Sequence, residues 1–127
     1  RFLFDGTNAS AVAAPTAVTA SATGQTAALA AVTLATPQTA GIYVVSVYIH
    51  CTTSDSSGKT VTGTVSWTDG GVALSKSTSA VAVASTANFD QVTAIIHADA
   101  NTAVTFSTTT SGAFTTAQYR VDARLSL

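Results

Sequence analysis

The chain has 127 residues, one cysteine, five Lys and Arg against six Asp, and a formal net charge of −1, with 9% charged side chains. That length holds one compact domain with or without an arm; a second independent core does not fit. The near-neutral balance excludes the basic footprint of a nucleic-acid or anionic-membrane binder, and the lone Cys51 excludes an internal disulfide framework and a multi-cysteine zinc site.

Ala, Thr and Ser make up about half of the chain, and Glu and Met are absent. A helical bundle needs long straight side chains between its helices, whereas Thr, Val and Ile are stiff at Cβ and suit pleated strands. An all-β fold is expected. The opening Arg1-Phe2-Leu3-Phe4-Asp5 carries neither a signal-peptide apolar region nor an initiator Met, so the chain is expected to be processed or trimmed, and no apolar run reaches the roughly 18 residues of a membrane span. From Asn8 to Ala30 the sequence is nearly all small and uncharged, with one Pro15. It predicts an extended N-terminal arm over residues 1–30 that lies along a surface, its own or a neighbour's, ahead of a β domain over 31–127.

The first strong strand is predicted over 42–52, with Tyr43, Val45, Val47, Ile49 and Cys51 on one face and Ile42, Val44, Ser46, Tyr48 and His50 on the other. The second face is apolar enough to be partly covered, as in a central strand or a strand at a subunit contact. Asp55-Ser56-Ser57-Gly58 reads as a turn, and 60–68 alternates strictly, with Val61, Gly63, Val65 and Trp67 inward. Asp69-Gly70-Gly71 predicts a hairpin into 72–76. Further strands are predicted over 80–84, 91–98, 103–109 and 116–127, the last with Ala117, Tyr119, Val121, Ala123, Leu125 and Leu127 inward, so that the chain ends inside the fold.

Short strands about ten residues apart, with turn residues between them and no helical period, point to an antiparallel β-sandwich. A jelly-roll-like sandwich is the leading reading, because its paired sheets accept about eight strands in this length, and an immunoglobulin-like sandwich is the alternative. Many inward positions are Ala, which contributes little transfer free energy, so a single copy is expected to be marginal and to gain burial as a homo-oligomer, a trimer above all.

Catalysis has no visible site: there is no Gly-x-Ser-x-Gly turn, phosphate loop or paired carboxylate array, and neither enzyme activity nor a cofactor is expected. His50 and His97 fall on polar-phase faces, and with Asp99 they would offer a zinc-type ligand set if their strands were neighbours; two sheet histidines are more often ordinary face residues, and no metal is expected. Cys51 points away from His50 and reads as a buried small hydrophobe. The candidate binding residues are Tyr48, on the mixed face, and Asp55, Asp69 and Asp90 at predicted loop tips, although turn formation explains those aspartates as well. Trp67, Tyr43 and Tyr119 read as core, and Arg120, Asp122 and Arg124 as an alternating-sign ladder on one face.

Three segments carry a resemblance: Thr39-Ala40-Gly41-Ile42-Tyr43-Val44-Val45-Ser46-Val47-Tyr48, Val65-Ser66-Trp67-Thr68-Asp69-Gly70-Gly71 and Ala117-Gln118-Tyr119-Arg120-Val121. Across roughly residues 28–127 the chain resembles small β-rich C-terminal domains of tailed-bacteriophage head-fibre, capsid-decoration and tail proteins. A strand opened by Gly-x-Tyr also occurs in trimeric jelly rolls of the tumour-necrosis-factor type. The resemblance implies a structural protein on the virion surface: an oligomeric, expectedly trimeric, decoration or fibre knob, held to capsid or tail proteins by its N-terminal arm. The alternative is a receptor-binding module for host-surface glycans. Neither nucleic acid nor membrane is an expected partner. A surface rich in Thr, Ser and Ala suits packing of many copies, since these side chains have few rotamers to lose.

Overall fold

The structure, a computed structural model, describes residues 17–127. Among these residues there is no helix. The strands are β1 (Ala17–Gln25), β2 (Val32–Ala35), β3 (Gly41–Thr53), β4 (Thr60–Asp69), β5 (Val72–Ser77), β6 (Val81–Ala82), β7 (Phe89–Ala98), β8 (Val104–Thr110) and β9 (Gln118–Ser126). Period-two alternation explains most of them: in β3, Val45, Val47, Ile49 and Cys51 are buried while the residues between them face out. The β4–β5 connection is a two-residue turn whose centre, Gly70 and Gly71, has φ of 58° and 77°. Both positions lie in the left-handed region, the turn whose twist matches a hairpin, and glycine reaches it without a Cβ clash.

One sheet has the order β1-β9-β3-β7, the other β2-β8-β4-β5 with β6 also paired to β4, and every pairing is antiparallel. The pairings nest. Around the β4–β5 hairpin lie β3 with β7, then β2 with β8, then β1 with β9, so a long two-stranded ribbon is rolled into two facing sheets. That is the jelly-roll arrangement. An immunoglobulin-like sandwich would put neighbouring strands of the chain in different partnerships and lack this nesting.

Between the sheets sit Val45, Val47, Val61, Val65, Val83, Val104 and Val121 with the larger Ile49, Ile96, Phe106, Tyr119 and Leu125. Ala94, Ala98, Ala117 and Ala123 fill four further inward positions, so the core is thin, as the composition implies. Cys51 is buried and free, and burial pushes its thiol pKa up. Tyr119 is fully buried, whereas Trp67 and Tyr43 are half-buried at the margin of the core.

Several expectations change. The stretch expected to be an arm over residues 1–30 contains β1, which pairs with β9 from Ala17 opposite Ser126 to Gln25 opposite Tyr119. Residues 17–25 are therefore part of the sandwich; residues 1–16 of that expected arm lie outside the described residues. The strand predicted over 80–84 shrinks to Val81–Ala82, which pairs only with Thr60 and Val61 of β4. Leu127 is 44% exposed, so the last inward position is Leu125.

Candidate functional site

The outward face of the four-stranded sheet is set by register. Ile42 lies opposite His97; Val44 lies between Ser126 and Ile95; Ser46 lies between Arg124 and Thr93; Tyr48 lies between Asp122 and Gln91; His50 lies between Arg120 and Phe89. On the outer side, Thr19 and Ser21 of β1 extend the Arg124 and Asp122 rungs. The face is thus graded along the strands, apolar at the Ile42 end, hydroxyl-rich and charged in the middle, aromatic at the Phe89 end. Ile95 is 76% exposed, Ile42 71%, Phe89 59% and Val44 40%, values far from those of inward neighbours such as Val45. Tyr48 stacks on Phe89 with ring centroids 5.8 Å apart. Arg120 Nε donates to Asp122 Oδ2 at 2.9 Å within the same strand. A groove of about 540 Å3 crosses the middle of the face, lined among others by Ser46, Tyr48, Gln91, Thr93, Asp122 and Arg124.

A second exposed apolar feature is the open margin of the sandwich at β5. Along β5 every residue is exposed, and Val72 and Leu74 are 57% and 40% accessible although they share the inward phase of Asp69 and Trp67 opposite them. The margin is bridged by Lys76, whose Nζ donates to the Thr93 carbonyl of β7 at 3.5 Å.

Of the four candidate binding residues only Tyr48 lines the groove. Asp55 is committed to the fold: Oδ1 accepts from the Ser57 hydroxyl at 2.6 Å and the Ser57 amide at 2.9 Å, and Oδ2 accepts from the amides of Thr115, Thr116 and Ala117 at 2.7, 2.9 and 3.0 Å. These bonds, the Ser57 hydroxyl foremost, stabilise the ionised form and hold the Asp55 carboxyl far below the usual carboxylate range. Asp90 Oδ2 accepts the Ser79 amide at 2.7 Å. Asp69 Oδ1 meets His97 Nδ1 at 2.9 Å. The aspartates do not form one surface: His97, the partner of Asp69, pairs with Ile42 while Asp90 pairs with Ile49, and seven residues of strand separate such positions by about 23 Å.

The histidines separate in the same way. His50 lies eight residues along β3 from the position opposite His97, about 26 Å, and its Nε2 is 2.7 Å from the Thr86 carbonyl. The convergence of His50 with His97 and Asp99 considered from sequence does not occur. Instead His97 and Asp99 are joined by Asp69, one ligand-type atom of each lying within 4.8 Å of the others. Asp99 Oδ1 accepts the Gly70 amide at 2.9 Å and Oδ2 the Gly71 amide at 2.8 Å. The Gly71 and Gly70 amides, with a smaller contribution from the nearby imidazole, lower the Asp99 pKa. Asp69 was legible as a turn residue; its place beside His97 depends on how the two sheets stack, which strand periodicity does not carry.

No protein-family model matches the chain, and no curated protein is similar to it in sequence. Among solved structures it is similar to the Eiger TNF of S. frugiperda, over 87% of this chain and 91% of that one, with 13% sequence identity and a TM-score of 0.43. The class that the strand order itself defines is an antiparallel jelly-roll β-sandwich.

Proposed function

We propose that this protein is a structural module that assembles into a homotrimer through the outward face of its four-stranded sheet, serving as a decoration or fibre knob on a virion surface. The observation that carries the assembly is the set of large apolar side chains left open on that face, Ile42, Val44, Ile95 and Phe89, in a chain whose own core is thin. Exposed apolar clusters of this kind, Ile42, Val44 and Ile95 at one end of the face and Phe89 beside Tyr48 at the other, mark an interaction site. The β5 margin, with Val72 and Leu74, is a second and different apolar patch. Two different patches on one chain favour a head-to-tail contact, which closes into a ring, over an isologous dimer that uses one patch twice.

The virion role rests on the sequence resemblance to phage head-fibre, decoration and tail domains, and on the hydroxyl-rich, charge-poor surface that dense packing of copies favours. Glycan recognition is the second reading, favoured by one observation: the groove places Tyr48 beside Gln91, Asp122 and Arg124, an aromatic platform flanked by hydrogen-bonding groups.

Light scattering on the purified protein at micromolar concentration tests the assembly: the expected mass is three times the 12.7 kDa of one chain, and an I42D/I95D variant is expected to be monomeric with an unchanged β-type circular dichroism spectrum. A monomeric wild type overturns it. Microscopy of particles carrying the protein tests the location through three-fold knobs on the shell or tail, and glycan binding that Y48A abolishes would favour the second reading.

A further inference from the structure

We propose that Asp69, His97 and Asp99 form a binding site for a divalent first-row transition ion, Zn2+ foremost. The three side chains come from different parts of the fold that the backbone fixes together. Asp69 ends β4 in one sheet, His97 lies near the end of β7 in the other, and the Asp99 amide donates to the Thr68 carbonyl at 2.8 Å, tying the two sheets at this end. The site therefore does not depend on a mobile side chain finding a distant partner.

The geometry is close to what an ion needs. On a tetrahedral ion with bonds of about 2.0–2.1 Å, ligand atoms sit about 3.3 Å apart. Asp69 Oδ1 and His97 Nδ1 are already 2.9 Å apart and have to open by only a few tenths of an ångström, while the third ligand atom lies within 4.8 Å. The Asp99 carboxylate is held in place by the Gly70 and Gly71 amides, one to each oxygen, and each oxygen retains a further lone pair for a cation. Amide donors that orient a ligating carboxylate in this way are the usual outer shell of a metal site.

Charge points the same way. Two carboxylates face one imidazole, and among the described residues no Lys or Arg forms an ion pair with either of them. Each carboxylate brings a negative charge that no Lys or Arg among the described residues offsets, and a divalent cation balances the pair. The donor set of one nitrogen and two oxygens selects the ion: imidazole suits Zn2+, Ni2+ or Cu2+, whereas Ca2+ and Mg2+ take oxygen shells of six or more ligands that this cluster does not supply. Three protein ligands leave a fourth position open.

The inference stands apart from the assembly reading, because it is tested per chain. Chelator-treated protein is titrated with ZnCl2 by calorimetry, native mass spectrometry counts the ions, and Co2+ supplies an optical signature of coordination. One ion per chain is expected, with H97A and, independently, D69N lowering the affinity at least tenfold, and with H50A binding as the wild type does. D69N keeps the shape of the side chain and an acceptor for the imidazole, so it reports lost ligation if H97A perturbs the fold. Zn2+ is also expected to raise the melting temperature of the wild type and not of H97A. Absence of saturable binding by the wild type overturns the proposal. So does affinity that survives both H97A and D69N, or that is lost in H50A.

Discussion

At position 63 a glycine stands where the alternation of β4 puts a residue inside, and the contacts show why. A Cβ there would lie 2.7 Å from Ile49 Cδ1 and 3.1 Å from Ile49 Cγ1, and Ile49 is itself fully buried. The Gly63 backbone is pinned on the other side, its amide donating to the Thr78 hydroxyl at 3.1 Å and its carbonyl accepting the Thr78 amide at 2.8 Å, so the strand has little room to retreat. G63A is therefore expected to cost about 1–3 kcal/mol, the range for overpacking a filled core. I49V removes the offending methyl, and urea titration of the double variant should show a smaller penalty for G63A than in the wild-type background; an equal penalty in both backgrounds would place the strain elsewhere. Asp55 gives a second residue-scale expectation, this time in pH. Its pKa is depressed in the folded chain, so the stability it contributes is complete above the ordinary carboxylate value of about 3.9 and is lost as pH falls below that toward the lower folded value. Thermal melts followed by circular dichroism are expected to be nearly level from neutral pH to about 4 as far as this group is concerned, and then to fall in acid. D55N should melt lower than the wild type at neutral pH and show a weaker acid decline, and an acid decline identical in the two proteins would remove Asp55 from the explanation.

Among the strands, those written in large side chains were readable: β4 and β9 alternate apolar residues against Thr, Ser and charged ones, and β3 is a run of β-branched and aromatic residues, apolar on both faces, that follows the Pro37 to Gly41 break. β1 was not. Ala, Thr, Ser and Gly differ too little in size and polarity for AVTASATGQ to declare an inward face, and its strand character comes from the long-range pairing with β9. The link between β1 and β2 is held by a chain of polar groups that no local pattern announces. The Leu29 amide donates to the Thr108 hydroxyl at 2.8 Å, Thr108 meets the Tyr119 hydroxyl, and Tyr119 donates to the Ala27 carbonyl at 2.7 Å. The Leu29 carbonyl in turn accepts the Thr108 amide at 3.0 Å. Tyr119 was legible as a core residue, but its hydroxyl has to be satisfied inside the protein, and burial raises its pKa. Y119F removes a single oxygen atom and leaves the Ala27 carbonyl and the Thr108 hydroxyl short of a partner. The expected loss is about 1–3 kcal/mol, with faster hydrogen exchange at the Leu29 amide as the local sign that the tether between β1 and β2 has loosened. Unchanged exchange at Leu29 would show that the tether is held by other contacts.

For the whole molecule, the sandwich was legible because composition and turn spacing constrain it. In the Asp69, His97 and Asp99 cluster the adjacency of His97 and Asp99 was legible, but the third member, Asp69 rather than His50, was not, because it is brought there by the stacking of two sheets that share no local signal. The interior is filled by Val and Ala with few large residues, while Ile42, Ile95 and Phe89 remain outside it and exposed. In the proposed assembly, stability has two sources, the chain's own core and the burial of these side chains against a neighbour. Transfer free energy follows the area removed from water, whichever chain covers it. If a trimer unfolds directly to separate chains, the balance contains the cube of the unfolded concentration, and each tenfold rise in protein concentration adds about 2.7 kcal/mol per trimer, twice the roughly 1.4 kcal/mol of a single tenfold step. The urea midpoint of the wild type is therefore expected to climb as protein concentration is raised. I42D/I95D, which places charge on the exposed face without touching the core, is expected to unfold at a lower midpoint that does not move with concentration. A wild-type midpoint independent of concentration, with no oligomer by light scattering, would mean that the thin core suffices on its own and that the open apolar face serves some other partner.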